Sequence, residues 1–233
     1  MNWDEVGARI VPVHAVALAA PTVLTALAAA LVVVGVPRVW LALRVVVTLV
    51  HELGHALVGI AVGRRFTGFV LRGDMSGHAV TVGPSRGAGR ALTTWAGYPA
   101  PAVLGAVMVW AAGRGWSAPM VTAGLVVLVV ALLRVRSGLT AVVMLLVLAA
   151  NAALWWWRDD RLQATVLVAV GVVLVVGAWR HLGAVAGSRD RSSDPAVLAT
   201  LTRVPRALWT ASFALVCAVA TVLTARVLLD LVR

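Results

Sequence analysis

Apolar residues run in long blocks along this chain, and polar residues punctuate the blocks without alternating inside them. Seven apolar segments stand out, at about 11–35, 39–62, 92–112, 118–133, 139–157, 162–179 and 207–229. A helix needs about 20 apolar residues to cross the hydrocarbon core of a bilayer. The pattern therefore predicts an all-α polytopic membrane protein with six or seven transmembrane helices. The fourth segment is short, and Arg134 to Gly138 divide it from the fifth, so six crossings and one re-entrant piece is the second reading. Trp40, Trp110, Trp116, Trp155 to Trp157, Trp179 and Trp209 fall near segment ends, where indole rings favour the membrane interface. Pro99 and Pro101 predict a kink where the third segment begins.

Two connections are long. Within 63–91, Thr67 to Leu71 and Ala79 to Val82 are β-prone and flank Gly73-Asp74-Met75-Ser76-Gly77, which predicts a hairpin over about 64–83. Within 180–206, a polar stretch leads to Ser193-Asp194-Pro195, a helix-start signal with Asp194 as N-cap and Pro195 in the first turn. No internal repeat or linker divides the chain, so residues 1–233 read as a single membrane domain.

Composition sharpens the picture. Hydrophobic residues make up 61% of the chain and charged residues 12%, against about 25% charged in soluble domains, which excludes a water-soluble domain. All twenty basic residues are Arg. They punctuate apolar runs instead of gathering on one polar face, so the basic balance points to the bilayer and not to nucleic acid. With seven crossings and a cytoplasmic N-terminus, thirteen Arg fall inside and seven outside, as the positive-inside rule expects. That reading makes the loops 63–91 and 180–206 cytoplasmic and the C-terminus external. Cys217 is the only cysteine, so no intrachain disulfide forms. The N-terminus lacks the basic region of a signal peptide, and the first apolar helix is expected to be retained.

The chemistry concentrates in His51-Glu52-Leu53-Gly54-His55 within the second segment, at about 39–62. Residues four apart share a helix face, so both imidazoles can reach one zinc ion. Glu52 is turned by about 100° from His51 and reads as the catalytic base. Zinc brings the pKa of water in its open position to about 7. Glu52 is then placed to take that proton and to return one to the leaving amine. Only two glutamates occur in the chain, and a charged side chain at the centre of a spanning helix costs about 2.5–3.5 kcal/mol. Such a cluster is therefore hard to explain by packing alone.

The chain resembles the site-2-protease-like intramembrane metallopeptidases, in their compact bacterial branch. The resemblance rests on His51-Glu52-Leu53-Gly54-His55-Ala56, the glycine-punctuated hairpin after it, and Ala96-Gly97-Tyr98-Pro99-Ala100-Pro101. Asp194 to Leu201 with Pro205 and Trp209 extend it more loosely. It implies a zinc-dependent protease of the bacterial plasma membrane that cuts membrane-spanning or membrane-associated proteins. Better-known members draw a third ligand from an Asp-Gly pair, and this chain has none; the corresponding region, Arg134 to Gly138, offers no carboxylate.

A catalytic zinc usually has three protein ligands. Asp194 is the first choice for the third, because it leads into an apolar segment, within about 190–205, that can carry it toward the histidines. A surface N-cap is its plain alternative. Asp74, Asn151, Asp230, His14, His78 and His181 complete the candidates. Tyr98 reads either as a donor to a reacting carbonyl or as an interfacial anchor. Two other functions compete with proteolysis. A non-catalytic binding or chaperone module would keep the fold without the reaction. A transporter would place polar groups along an ion path, although transporters usually repeat them in two halves.

Overall fold

A computed structural model describes residues 3–14, 18–73 and 76–232. The chain is mostly helical. A short α1 (Trp3–Ala8) precedes α2 (Ala20–Gly35) and α3 (Pro37–Ala61). The strands β1 (Arg65–Leu71) and β2 (Gly77–Val82) follow, then α4 (Ala88–Trp95), α5 (Pro99–Gly113), α6 (Ser117–Leu132) and α7 (Gly138–Trp156). The chain ends with α8 (Asp160–Ala186), α9 (Asp194–Thr202) and α10 (Arg206–Val232). Every apolar segment contributes a helix. Residues 11–14 lie outside helix, and α8 continues past its last apolar turn to Ala186.

Four helices, α3, α7, α8 and α10, are long and apolar enough to cross a membrane, and α4 with α5 make a fifth candidate bent by 61°. The bend has a local cause. Pro99 and Pro101 lack an N–H and their rings crowd the preceding turn. α2 and α6 have 16 residues each, about 24 Å at 1.5 Å per residue, which is less than the ~30 Å core. α5 and α8 form the centre of the bundle. An added Cβ on Gly171 would stand 2.7 Å from the Gly105 carbonyl oxygen, so the small pair sets how closely these helices approach.

The path of the chain differs from the expected seven crossings. Val13 donates its N–H to the Gly115 carbonyl, and Arg158 reaches the Ala8 and Val11 carbonyls. Gly113 adjoins Val227 and Leu231 of α10. The first described residues and the end of α10 therefore lie at one end of the bundle, with the turns 114–116 and 157–159. This corrects the expectation of termini on opposite sides.

The cause is α3. Trp40, near its start, packs edge-on to His181 close to the end of α8. Gly54, further along, abuts Ala96 and Ala100 where α5 begins, and that part of α5 shares a core cluster with Ala178 and Leu182 of α8. α3 thus lies across one end of the bundle, while α2, α5, α6, α7, α8 and α10 run from end to end.

The hairpin sits at that same end. β1 and β2 pair antiparallel from Arg65 opposite Val82 to Leu71 opposite Gly77, with a register shift between Phe66 and Gly68. Gly68 has φ of 144° and receives Arg134 and Arg136 close by, a backbone geometry that favours glycine. Phe69 exchanges hydrogen bonds with Arg134 and Arg136 at 3.1 and 3.2 Å. The Leu71 N–H donates to Thr140 Oγ1 at 2.7 Å. The outer edge of β1 is thereby covered, and the stretch from Arg134 to Gly138 braces the hairpin.

Candidate metal centre

His51 and His55 share one face of α3, as their spacing dictates. Their Nε2 atoms are 3.1 Å apart. Asp194 Oδ2 lies 3.3 Å from His51 Nε2 and 3.2 Å from His55 Nε2. Ser193, not Asp194, occupies the N-cap of α9; Asp194 is the first helical residue and Pro195 the next. This corrects the expected cap. A side chain not engaged in capping is free to point inward, and the buried Pro195 and Leu198 seat the helix so that it does.

The donor chemistry fits a cation. His55 Nδ1 lies 2.7 Å from the Thr93 carbonyl oxygen. A carbonyl only accepts, so Nδ1 carries the proton and Nε2 of the neutral ring presents a lone pair. One proton on His51 Nε2 can satisfy at most one of its two close neighbours, and Asp194 Oδ2 is buried without a hydrogen bond. Zinc ligands at about 2.0–2.1 Å in tetrahedral array stand about 3.3 Å from one another. The three observed separations lie close to that edge.

Three glycines admit the surroundings. An added Cβ on Gly97 would stand 2.6 Å from His51 Nε2 and 2.5 Å from His55 Cε1. The break between α4 and α5 therefore lies directly against both rings. A Cβ on Gly77 would meet Glu52 Oε1 at 2.5 Å, so the start of β2 rests on the buried Glu52 carboxyl. Gly54 lets α3 approach Ala96 and Ala100. His51, Glu52, His55 and Asp194 all line one cavity of about 890 Å³, and Gly77 to Thr81 of β2 line it in unbroken succession.

The remaining candidates fall elsewhere. His78 and His181 line the cavity but are outside the group formed by His51, His55 and Asp194, which is the only such cluster among the described residues. His14 adjoins Gly115 at the opposite end of the bundle. Asn151 donates to the Val121 carbonyl at 2.9 Å and ties α7 to α6. Asp230 is in the last turns of α10, at the end away from the cavity. Asp74 lies outside the described residues. Sequence reasoning missed the Thr93 carbonyl and the contact of Gly77 with Glu52. A backbone carbonyl leaves no trace in side-chain identity, and a hairpin glycine reads simply as a turn residue.

The family model described as Peptidase M50B-like matches residues 24–224 of the chain. No curated protein matches it, and no solved structure does.

Proposed function

The chain belongs to the Peptidase M50B-like family, of the site-2 protease type, and from that premise we propose that it hydrolyses peptide bonds of membrane-spanning or membrane-associated proteins with zinc held by His51, His55 and Asp194. The observation that carries this reading is the convergence of three lone-pair donors, 3.1–3.3 Å apart, beside a buried glutamate. Zinc bound there supplies Lewis acidity and lowers the pKa of water in its open position. Glu52 takes the proton as water adds to the carbonyl carbon and passes one to the departing nitrogen. Residues 1–233 act together as one catalytic domain in this reading.

Substrate presentation follows from the hairpin. Segments 134–136 cover β1, whereas β2 lines the cavity. An unwound substrate segment can add to β2 as a strand, held by main-chain hydrogen bonds beside the metal site. A peptide must be extended for its carbonyl to be reached, and a helix offers no such access.

Metal removal tests the proposal. Protein reconstituted in lipid should contain one zinc ion and cut a membrane-spanning substrate, lose cleavage on chelation and regain it when zinc is returned. Cleavage that persists after complete zinc removal would overturn the reading. A chain that binds no zinc would support the non-catalytic module instead.

Membrane orientation follows from charge. Arg64, Arg65, Arg72, Arg86 and Arg90 lie in the connection after α3, and Arg180, Arg189, Arg191, Arg203 and Arg206 surround α9. Arg9, Arg114, Arg158, Arg161 and Arg226 mark the opposite end. The positive-inside rule then places the cavity end in the cytoplasm of a bacterial plasma membrane. Because the first described residues and the end of α10 share the other end, this reading puts the N-terminal side outside. In a Cys217→Ala background, an impermeant thiol reagent should label Arg114→Cys in intact cells and spare Arg86→Cys; the reverse pattern would invert this orientation.

A further inference from the structure

Hydrolysis at such a site leaves one task unassigned: a donor for the carbonyl oxygen as it gains negative charge. Tyr98 is the only tyrosine of the chain, and it follows Gly97, which abuts both histidine rings. Its ring stands edge-on to His51, with centroids 4.8 Å apart and planes at 88°. On the other side it stacks on Phe213 at 5.2 Å and 20°. Two flanking rings thus hold it in one orientation. It lines the cavity, and its hydroxyl has no hydrogen-bond partner among the described residues.

Several other polar groups of the cavity are already engaged or set back from the metal site. Ser192 Oγ and Ser193 Oγ donate to Asp190, and Ser188 Oγ accepts its N–H. These bonds close the turn before α9. His181 packs on Trp40, about three helical turns of α3 before His51. Thr48 Oγ1 donates back to the Arg44 carbonyl.

We propose that Tyr98 is a further catalytic residue, whose phenolic O–H donates a hydrogen bond to the scissile carbonyl oxygen as water adds to the carbonyl carbon. The proposal rests on the protease reading above. Tyr98 keeps its proton throughout; the proton lost by water goes to Glu52, the C–N bond breaks, and the nitrogen leaves protonated. A donor fixed before the reaction is worth most when charge develops on its acceptor, and the two flanking rings provide that fixity.

Tyr98→Phe keeps both ring contacts and removes only the hydroxyl. Zinc content should stay at the wild-type level and KM should change little, while kcat falls by about 100- to 1,000-fold, the range for loss of one such donor. A phosphonamidate peptide, which carries the tetrahedral oxygens of the addition step, should lose affinity in parallel. An unreactive substrate peptide, measured in a Glu52→Gln background, should bind as before. A Tyr98→Phe protein that cuts within threefold of wild type would overturn the proposal. So would one that loses zinc, because the ring would then act only through His51. The two readings separate cleanly: a zinc-loaded wild type that neither cuts membrane substrates nor prefers the phosphonamidate strikes the protease reading and Tyr98 with it. A wild type that cuts beside an equally active Tyr98→Phe strikes Tyr98 alone.

Discussion

Glu52→Gln is expected to leave zinc in place and lower turnover by at least about 100- to 10,000-fold, the range for loss of a positioned general base. Glutamine matches glutamate in shape, so the contact with Gly77 survives and α3 keeps its packing. What is lost is a group able to accept the proton of the attacking water and release one to the nitrogen. Three measurements define the result: zinc per chain, unfolding temperature and cleavage of a membrane substrate. Unchanged zinc and stability with turnover near background is the expected outcome. Wild-type turnover in this variant would eliminate Glu52 as the base.

Asp194→Ala should act on the metal itself. Two neutral imidazoles leave a divalent ion without charge compensation in a low-dielectric setting, where an anionic partner is strongly favoured. Changes to groups that merely orient ligands cost about 10- to 100-fold in metal affinity, so loss of a ligand should cost more than 100-fold. Activity and zinc should fall together, as in His55→Ala. Because Asp194 is not at the N-cap of α9, the variant should not lose the stability of a missing cap. Titration with a chelator of known affinity measures the change directly. Normal zinc affinity and normal cleavage in Asp194→Ala would remove it from the site.

Much of this arrangement was legible in the residues, for identifiable reasons. Bilayer thickness translates directly into segment length, so hydropathy located every long helix. An i, i+4 pair shares a face on any helix, so His51 and His55 converge whatever surrounds them. The hairpin was legible because β-prone runs flank a glycine-bounded turn. Asp194 stood out among seven aspartates through the apolar segment that follows it.

Direction was harder. Hydropathy records how long a helix is and says nothing about its tilt, so α3 read as one more crossing when it lies across one end of the bundle. That single difference brings the first described residues and the end of α10 to the same end of the bundle. The count of crossings shared the difficulty, since α2, with 16 residues, is shorter than its apolar run of about 25 suggested. The cap of α9 was misplaced by one residue, because Ser193 and Asp194 are both good caps and only tertiary contacts decide between them. The Thr93 carbonyl acts through its backbone, which sequence cannot display.

The oblique course of α3 also bears on hydration. Each bond cut consumes one water molecule, and the middle of a bilayer holds almost none. A histidine pair carried to mid-depth would need a dedicated channel to refill after every turnover. Here the pair opens onto a cavity of about 890 Å³ at one end of the bundle. At about 30 Å³ per molecule that is room for roughly 30 waters. With water held beside the site, the slow event is expected to be the unwinding of the substrate helix. Substitutions in the substrate that weaken its helix should then raise the cleavage rate, whereas changes that widen the cavity should not.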